Sequence, residues 1–490
     1  MYAYWRSGRS PSAPPSANIE GVTRQAAIPE ILTFGAVQAA RRLRAGEFSS
    51  TELVRALLDR IEMVNPMVNA VREVLAEPAL RAARDADHRL ATGHPVGPLD
   101  GVPITVKDNV DVAGSATTQG VAALAGAVAP ADAPSVAHLR RAGAIPVART
   151  NMPDFALRWH TDSGLAGPTL NPWDADLTPG GSSGGEAVAL ATGMSLLGVG
   201  NDLGGSLRWP AQCAGTAALR PTLGRIPDAS SLDPDGKPLA LRLLDVPGPM
   251  ARRVEDLRLA FGVMAAPDPR DPWHCPVPPG YLPEVPRRVH VLDDLGGVEM
   301  DASVREALRR AAAALEGHGY QLCDGPPPGV VEAAAAWARL MAFGVRPVWP
   351  GLARLASTGG LRFMELMFEL VPPGGPGELA ELLTTRGRLA RAWAEYQRAT
   401  PLVLAPIYAG RAFRAGADLA EAGPIVDRLR ATLVVNFLGL PAVAVPVGLV
   451  DGLPRGVQLI GPRFGEELCL RAAEAVEVTA GPITPIDPRC

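Results

Sequence analysis

The stretch TPGGSSGGEAVALATGMSLLGVGNDLGGSLR, from Thr178 to Arg208, restricts the fold of this 490-residue chain more than any other segment. Two glycine-flanked serine runs, residues 180–185 and 204–206, stand on either side of an apolar segment of small residues. The spacing of that segment, residues 186–199, predicts a buried helix followed by a strand. Glycines around the serines remove Cβ atoms, so the backbone can adopt positive φ and approach another molecule closely. The stretch therefore predicts two tight loops joined by a helix and a strand.

The chemistry of these loops has three interpretations. Inward-facing amides in a glycine loop bind anions, which suits a phosphate or the oxyanion that develops during acyl transfer. A phosphate loop is disfavoured, because neither run ends in Gly-Lys-Ser/Thr and Glu186 would place a carboxylate against the phosphate. Two ordinary tight turns are the third interpretation, which explains one isolated Gly-Gly-Ser better than two such runs joined by a core helix. In an acyl-transfer site, Ser206 would be the nucleophile.

A serine nucleophile needs a base at neutral pH, and no histidine lies near either serine run. The Gly-x-Ser-x-Gly elbow of the α/β-hydrolases is also absent, so a Ser-His-Asp triad is not indicated. Upstream, the apolar run 102–106 predicts a buried strand that ends at Lys107. Lys107 is either functional or a strand-end charge that reaches solvent by snorkelling. His160, next to Trp159, is the base to test if Lys107 is not.

Three segments, GVPITVKDNV (101–110), GGSSGG (180–185) and DLGGSLR (202–208), resemble the catalytic segments of the amidase signature family in order and in separation. Further similar segments are residues 150–156, 167–173, 439–442 and 456–461. The resemblance therefore spans about residues 30–480. It implies hydrolysis of a linear, non-peptide carboxylic amide to an acid and ammonia or an amine through an acyl-enzyme. It also implies that no metal or organic cofactor takes part.

Residue by residue, the resemblance implies a Ser-cisSer-Lys triad. Ser206 matches the nucleophile, and Lys107 matches the general base. Ser182 matches the serine between them, whose peptide bond with Gly181 is cis in the family. Lys107 would need burial to lower the pKa of its amine, because an exposed lysine is charged at neutral pH.

The resemblance also implies a set of supporting positions. The backbone donors of the oxyanion hole match Leu203, Gly204, Gly205 and Ser206. Ser183 and Asp202 match positions that hold the lysine and the loop. Two departures from the family are local: Asn201 stands where threonine is usual, and Arg220 stands where lysine is usual. Neither departure removes a catalytic atom.

Composition and charge limit the class of partner. With 47% hydrophobic and 20% charged residues, the chain can bury a large core. A formal net charge of −4 gives no reason to expect nucleic-acid binding, which favours a basic surface. The expected partner is a small-molecule amide, and a homodimer is compatible with this interpretation.

The cysteines and histidines predict neither a disulfide framework nor a metal site. The five cysteines are scattered without Cys-x-x-Cys spacing: Cys213, Cys275, Cys323, Cys469 and Cys490. A reduced, cytoplasmic location fits this pattern. The seven histidines lack paired metal-ligand spacing. No apolar segment has the length of a membrane span, and residues 1–29 have no signal-peptide core, so we expect no membrane association.

From Val102 onward, short apolar strands alternate with helices. This pattern predicts an α/β fold with a mixed, largely parallel central sheet covered by helices on both faces. Capping-box spacing of Ser49 and Glu52 predicts a helix that starts there and ends at Asn65-Pro66. The predicted divisions are a flexible leader (1–29), the core with the catalytic segments (30–227), a variable helical lid that shapes the pocket (228–427) and a return to the core (428–490).

Two questions stay open at this stage. Five apolar residues of the predicted lid either line an acyl pocket or pack in the core: Trp337, Met341, Phe343, Met364 and Phe368. The activity also has alternatives. The chain could be the glutaminase subunit of a tRNA-dependent amidotransferase, or a catalytically silent binding protein on the same fold. Ester hydrolysis or transacylation by the same acyl-enzyme is a further alternative.

Overall fold

The computed structural model describes residues 28–233, 235–375 and 377–489, so the predicted leader lies outside the described residues except for its last two positions. The α-helices are α1 Ala36–Arg44, α2 Ser50–Val68, α3 Ala76–Ala91, α4 Pro134–Arg141, α5 Gly184–Ala191, α6 Arg208–Ala214, α7 Leu239–Arg242, α8 Val254–Met264, α9 Ala302–Gly317, α10 Val330–Val345, α11 Trp349–Leu352, α12 Thr358–Leu370, α13 Glu378–Ala399, α14 Ala422–Arg428, α15 Arg430–Leu438 and α16 Glu466–Ala480. The strands are β1 Val71–Val74, β2 Pro103–Lys107, β3 Ile145–Thr150, β4 Asp162–Ser163, β5 Gly167–Pro168, β6 Leu197–Asn201, β7 Ala217–Arg220, β8 Pro247–Ala251, β9 Arg288–Val291, β10 Gln321–Leu322, β11 Leu402–Pro406, β12 Ala442–Val450 and β13 Leu453–Ile460.

Across these described ranges, eleven strands form one sheet in the order β1-β3-β2-β6-β8-β7-β12-β13-β11-β9-β10. Parallel pairing occurs in two blocks, β3-β2-β6 and β11-β9-β10. The strands between these blocks, and β1 at one edge, pair antiparallel. The predicted mixed α/β sheet flanked by helices is confirmed, and the strands that carry the catalytic segments belong to a parallel block.

Strands β2, β3 and β6 are buried along their whole length. Their apolar, β-branched residues are typical of parallel strands that helices cover on both faces. Because β2 and β6 are parallel neighbours, in register at Val106 and Val199, their carboxyl ends lie side by side. Lys107 ends β2 and Asn201 ends β6. The sheet therefore brings these two side chains together at the carboxyl ends of its strands.

Helix α2 confirms the predicted start and corrects the predicted end. Ser49 and Glu52 form the reciprocal capping box. The helix continues through Pro66 to Val68. A proline near the end of a helix removes only one N–H donor, and the chain leaves the helix where Asn69 adopts a left-handed conformation. Asn69, rather than Pro66, therefore ends the helix.

The content of region 228–427 differs from the expected helical lid, while its boundaries stay a prediction. The Ala- and Leu-rich segments 332–343 and 378–398, whose composition predicts helices, lie in α10 and α13. However, β8, β9, β10 and β11 also lie in this region and join the central sheet. These strands are two to five residues long. The apolar run of residues 402–405 predicts a return to the sheet, and β11 confirms it. The segments of β8, β9 and β10 show too little hydrophobic alternation to be recognised as strands.

Candidate active site

Lys107 lies wholly buried at the end of β2, with its Nζ atom 2.7 Å from Ser182 Oγ and 2.6 Å from Asn201 Oδ1. Burial disfavours the ammonium and lowers the pKa of Lys107 to about 7, although Asp245 and Asp202 act in the opposite direction. Of the two interpretations of Lys107, the snorkelling one is wrong, because the amine contacts a serine hydroxyl inside the protein. Lys107 can therefore exchange a proton with that hydroxyl near neutral pH.

The two serine loops meet directly. The peptide bond between Gly181 and Ser182 is cis, as the resemblance implies. A side chain at Gly181 would collide with the Arg158 carbonyl oxygen, 2.6 Å from an added Cβ, so this position requires glycine. The Ser183 N–H donates to the Ser206 carbonyl oxygen at 3.2 Å. Ser182 and Ser206 both line one cavity.

Ser183 contributes differently from the expected supporting role. Its hydroxyl is buried and has no hydrogen-bond partner among the described residues. The side chain therefore does not hold Lys107, because Asn201 and Ser182 supply the contacts to that amine. The backbone N–H of Ser183 instead ties the two serine loops together.

Asp202 is the charge that holds the second loop. Its carboxylate accepts from Arg208 Nε at 3.0 Å, from the Gly205 N–H at 2.8 Å and from Asn436 Nδ2 at 2.8 Å. Burial alone would raise the pKa of Asp202, but Arg208 and these donors keep it well below its usual range. Arg220, the second departure from the family, lies 3.7 Å from the same carboxylate. Asp202 is therefore an ionised centre that several chain segments share.

The predicted oxyanion donors fall into two groups. The N–H groups of Leu203, Gly204 and Ser206 have no acceptor within the part of the chain that the structure describes, and all three residues line the cavity. Gly205 corrects the prediction. Its N–H donates to Asp202, and it does not belong to the cavity wall. The Gly205 amide therefore stabilises the loop, and three of the four expected donors are free to bind an oxyanion.

Asn201 is the site residue whose role sequence reasoning missed. Its Oδ1 accepts from Lys107 Nζ and, at 3.3 Å, from Asn109 Nδ2. Its Nδ2 donates at 3.3 Å to Asp245, which in turn accepts from Lys237 Nζ at 2.5 Å. The available signal was the departure from threonine at the position before Asp202. A chain of polar contacts thus links the buried lysine to the cavity wall.

His160 takes no part in this group. Its Nδ1 atom lies 3.0 Å from Thr178 Oγ1, and burial lowers the pKa of the imidazole. His160 does not line the cavity that contains Ser182 and Ser206. The structure therefore places the alternative base behind the serine loop, where it contacts neither serine hydroxyl.

The cavity has a volume of about 470 Å³ and a largely aromatic side. Of the five apolar lid residues named above, Trp337 and Met341 line it. The other three do not line it: Met364 is buried in the core, Phe343 packs against the core, and Phe368 packs against Trp349. Further aromatic lining residues are Phe155, Trp159 and Phe363.

A buried lysine in contact with one serine, with a second serine beside free amides in the same cavity, is an arrangement suited to acyl transfer. The profile of the Amidase family matches residues 52–349 and 377–470. The chain belongs to the amidase signature family, and it is an amidase that hydrolyses carboxylic amides.

Three proteins illustrate what this chain is similar to. An indoleacetamide hydrolase of Bradyrhizobium diazoefficiens is 39% identical over 469 residues, which cover 91% of this chain and 87% of the relative. A glutamyl-tRNA(Gln) amidotransferase component of Salinispora tropica is 32% identical over 500 residues, which cover 93% of this chain and 99% of the relative. The crystal structure of a bacterial aryl acylamidase of the amidase signature family matches with a TM-score of 0.80 and 26% identity, and covers 91% of this chain and 96% of that one.

Metal-ligand clusters and membrane-spanning helices are both absent among the described residues. Across the described ranges, no group of three or more His, Cys, Asp or Glu side chains is arranged to hold a metal ion. None of the helices described above combines the length and apolarity that crossing a bilayer requires.

Proposed function

We propose that Ser206 is the nucleophile of this amidase, Ser182 the proton relay and Lys107 the general base. The contact of 2.7 Å between Lys107 Nζ and Ser182 Oγ carries this proposal, because it joins a lysine whose pKa is about 7 to a serine hydroxyl. The Ser183–Ser206 backbone hydrogen bond supports the second half of the relay, since it holds the two serine loops together.

In the forward step, neutral Lys107 takes the proton of Ser182 while Ser182 takes that of Ser206. The Ser206 oxygen attacks the amide carbon, and the carbonyl oxygen becomes an oxyanion. The relay then runs in reverse and protonates the leaving nitrogen, so the C–N bond breaks and an acyl-enzyme remains. Water repeats the sequence and releases the carboxylic acid. The sum is one amide and one water converted to an acid and ammonia or an amine.

The free amides of Leu203, Gly204 and Ser206 supply the electrostatic part of this mechanism. Backbone donors that are already oriented stabilise an oxyanion without reorganisation, and one such donor raises kcat by a factor of roughly 10²–10³. The Asp202 carboxylate accepts from the Gly205 N–H and so holds the loop that carries these amides.

We propose an aryl-substituted acetamide as the substrate class. The observation that carries this proposal is the aromatic lining of the cavity. Trp337 and Phe363 pack against Trp159, and Phe155 lines the same cavity as Ser206. Such a surface binds a flat ring by burying apolar area. The 39% identical relative is named an indoleacetamide hydrolase, which agrees with this choice.

Glutamine, the substrate of the alternative amidotransferase role, fits the cavity less well. Its α-carboxylate would need a cationic partner when it is buried. Three cations line the cavity, and each is already paired with carboxylates of the described residues. Arg158 pairs with Asp418, Lys237 with Asp228 and Asp245, and Arg242 with Asp271. Glutamine is nevertheless included among the substrates to be tested, because one relative is named an amidotransferase subunit.

A panel of four amides tests the substrate class: indole-3-acetamide, phenylacetamide, propionamide and L-glutamine, with acid and ammonia measured by mass spectrometry and a coupled assay. The two aryl amides should exceed propionamide in kcat/KM at least about tenfold, because each buried methylene contributes roughly 0.8 kcal/mol. Ser206→Ala is the control for background hydrolysis.

The other outcomes separate the alternatives. Preferred hydrolysis of glutamine, or co-purification with a second protein chain, would favour the amidotransferase role. Failure of a fluorophosphonate to label Ser206 would favour a catalytically silent binding protein. The cytoplasmic location, the homodimer and the lack of nucleic-acid and membrane partners stay predictions from the sequence.

A further inference from the structure

Two tryptophan indoles hold consecutive carbonyl groups of the loop that leads into Ser206. Trp337 Nε1 donates to the Leu203 carbonyl oxygen at 2.9 Å, and Trp159 Nε1 donates to the Gly204 carbonyl oxygen at 2.8 Å. Trp337 lies on α10, far along the chain from the loop. Both side chains are buried. Two successive peptide groups of the loop are therefore anchored by side chains outside it.

Because a peptide group is planar, the hydrogen bond from Trp337 to the Leu203 carbonyl oxygen also fixes the direction of the N–H in the same peptide group. A trans peptide points its C=O and its N–H in opposite directions. Trp337 holds the Leu203 carbonyl, so it also sets the direction of the Gly204 N–H, which belongs to the same peptide group. This N–H has no acceptor among the described residues, and Gly204 lines the cavity. The next peptide group is held at both ends, by Trp159 and by Asp202.

We propose that Trp337 is a positioning residue for amide hydrolysis: its indole N–H orients the Gly204 amide toward the oxyanion that forms when Ser206 attacks. Trp337 acts through the peptide group and does not touch the reacting atoms. The inference rests on the proposed function, because it requires Ser206 to be the nucleophile.

The same indole ring also forms part of the cavity wall. Gly204 packs so closely on it that an added Cβ would lie 2.5 Å from Trp337 Cζ2. The Trp159 ring packs beside it, with 6.0 Å between ring centroids. A tryptophan is needed here because it combines a large apolar face with an N–H donor. An acyl group that fills the cavity therefore contacts the ring that orients the donor, which links acyl binding to stabilisation of the transition state.

The test compares Trp337→Phe with a matched control, Trp393→Phe. Trp393 is also buried in a helix of region 228–427 and donates its Nε1–H to a backbone carbonyl, that of Pro328 at 2.7 Å. It does not line the cavity. Both variants lose one indole N–H and the same side-chain volume, but only Trp337→Phe changes the loop before Ser206.

Propionamide and two inhibitors separate orientation from cavity shape. Propionamide has too small an acyl group to depend on the aromatic wall, so its kcat reports on the loop. The Ser206 hydroxyl adds to the carbonyl carbon of phenylacetaldehyde and passes its proton to Ser182 and Lys107, which leaves a tetrahedral oxyanion. The alcohol 2-phenylethanol fills the same space without forming one. Because both inhibitors carry the same phenyl group, a change in the ratio of their inhibition constants between variants reports a change in the stability of the oxyanion adduct.

We expect Trp337→Phe to lower kcat for propionamide by roughly 10- to 100-fold, because a displaced oxyanion donor loses most of its effect. Phenylacetaldehyde should bind more weakly by a similar factor, while 2-phenylethanol changes little. Trp393→Phe should leave both quantities within about twofold of the wild type. Replacement of Trp337 by 3-benzothienylalanine, which keeps two rings and lacks the N–H, should reproduce the loss and covers the case in which Trp337→Phe does not fold.

Unchanged kcat and an unchanged inhibitor ratio in the Trp337 variants would overturn the inference. Equal weakening of both inhibitors would also overturn it, since that result assigns Trp337 to the cavity wall alone. Failure of the proposed function is distinct, because it would appear as absent fluorophosphonate labelling of Ser206 in the wild-type protein.

Discussion

The buried lysine predicts a specific pH profile. With a pKa of about 7, about half of the Lys107 side chains are neutral at pH 7, and the neutral fraction falls about tenfold for each pH unit below that. A lysine with its ordinary pKa of 10.5 would be neutral in only about one molecule in 3,000 at pH 7. Because only the neutral amine accepts a proton from Ser182, kcat/KM should rise along one limb and level off above about pH 7.

Asp245→Asn tests the cause of this limb without removing a proposed catalytic group. Asp245 exerts the strongest charge effect that favours the Lys107 ammonium, and Lys237 acts in the opposite direction. Loss of the carboxylate removes the attraction and leaves the positive charge of Lys237 less compensated. Both effects lower the pKa of Lys107, so the limb should move to lower pH.

Steady-state kinetics between pH 5 and 9 measure this shift, with phenylacetamide as the substrate. Glu306→Gln, at a half-buried position of α9, is the control for removal of a carboxylate that does not line the cavity. Lys107→Met should abolish the limb and most of the activity, and Lys107→Arg should not restore them because guanidinium stays protonated. A limb that moves to higher pH in Asp245→Asn, or that persists in Lys107→Met, would refute the assignment of Lys107 as the base.

Four further results are expected. Between pH 8 and 10, the free energy of unfolding should rise with pH more steeply in the wild type than in Lys107→Met, by up to about 1.4 kcal/mol per pH unit. The cause is that Lys107 is protonated in the unfolded chain and neutral in the folded chain within that window. Urea titrations at several pH values measure this difference. Ser206→Ala should abolish fluorophosphonate labelling, as mass spectrometry of the modified peptide would show. Ser183→Ala should only weaken turnover in steady-state assays, because its hydroxyl has no partner among the described residues. Asp202→Asn should lower the free energy of unfolding by about 3–5 kcal/mol, because Arg208 becomes a buried charge without its counter-ion; urea midpoints measure the loss.

The lysine, the two serines and Asp202 could be located from sequence because each lies in a short motif whose local backbone sets its direction. The capping box of α2 is local in the same sense, whereas the cis bond between Gly181 and Ser182 was expected only from the resemblance to the family. Patterns of this kind depend on a few neighbouring residues, so they survive without knowledge of the tertiary contacts.

Contacts between distant segments could not be predicted in this way. From the sequence, Trp337 is one apolar residue on an amphipathic helix. Nothing in that helix indicates a hydrogen bond to a backbone carbonyl 134 residues away. Asn201 reads as a departure from a motif until the parallel register of β2 and β6 places it beside Lys107. Gly205 matches a motif position, but the direction of its N–H depends on where the Asp202 carboxylate lies.

The bond between Asn436 Nδ2 and Asp202 joins residues 234 positions apart, which affects when the enzyme can become active during synthesis. Translation adds roughly 5–20 residues per second, so roughly 10–50 s pass between incorporation of Asp202 and of Asn436. Lys107 and Ser182 precede Asp202, and Ser206 follows it by four residues, so the nascent chain contains all three for almost the whole interval. It lacks the amide that completes the surroundings of the Asp202 carboxylate, so a ribosome-bound chain that ends before Asn436 should release no ammonia from any amide.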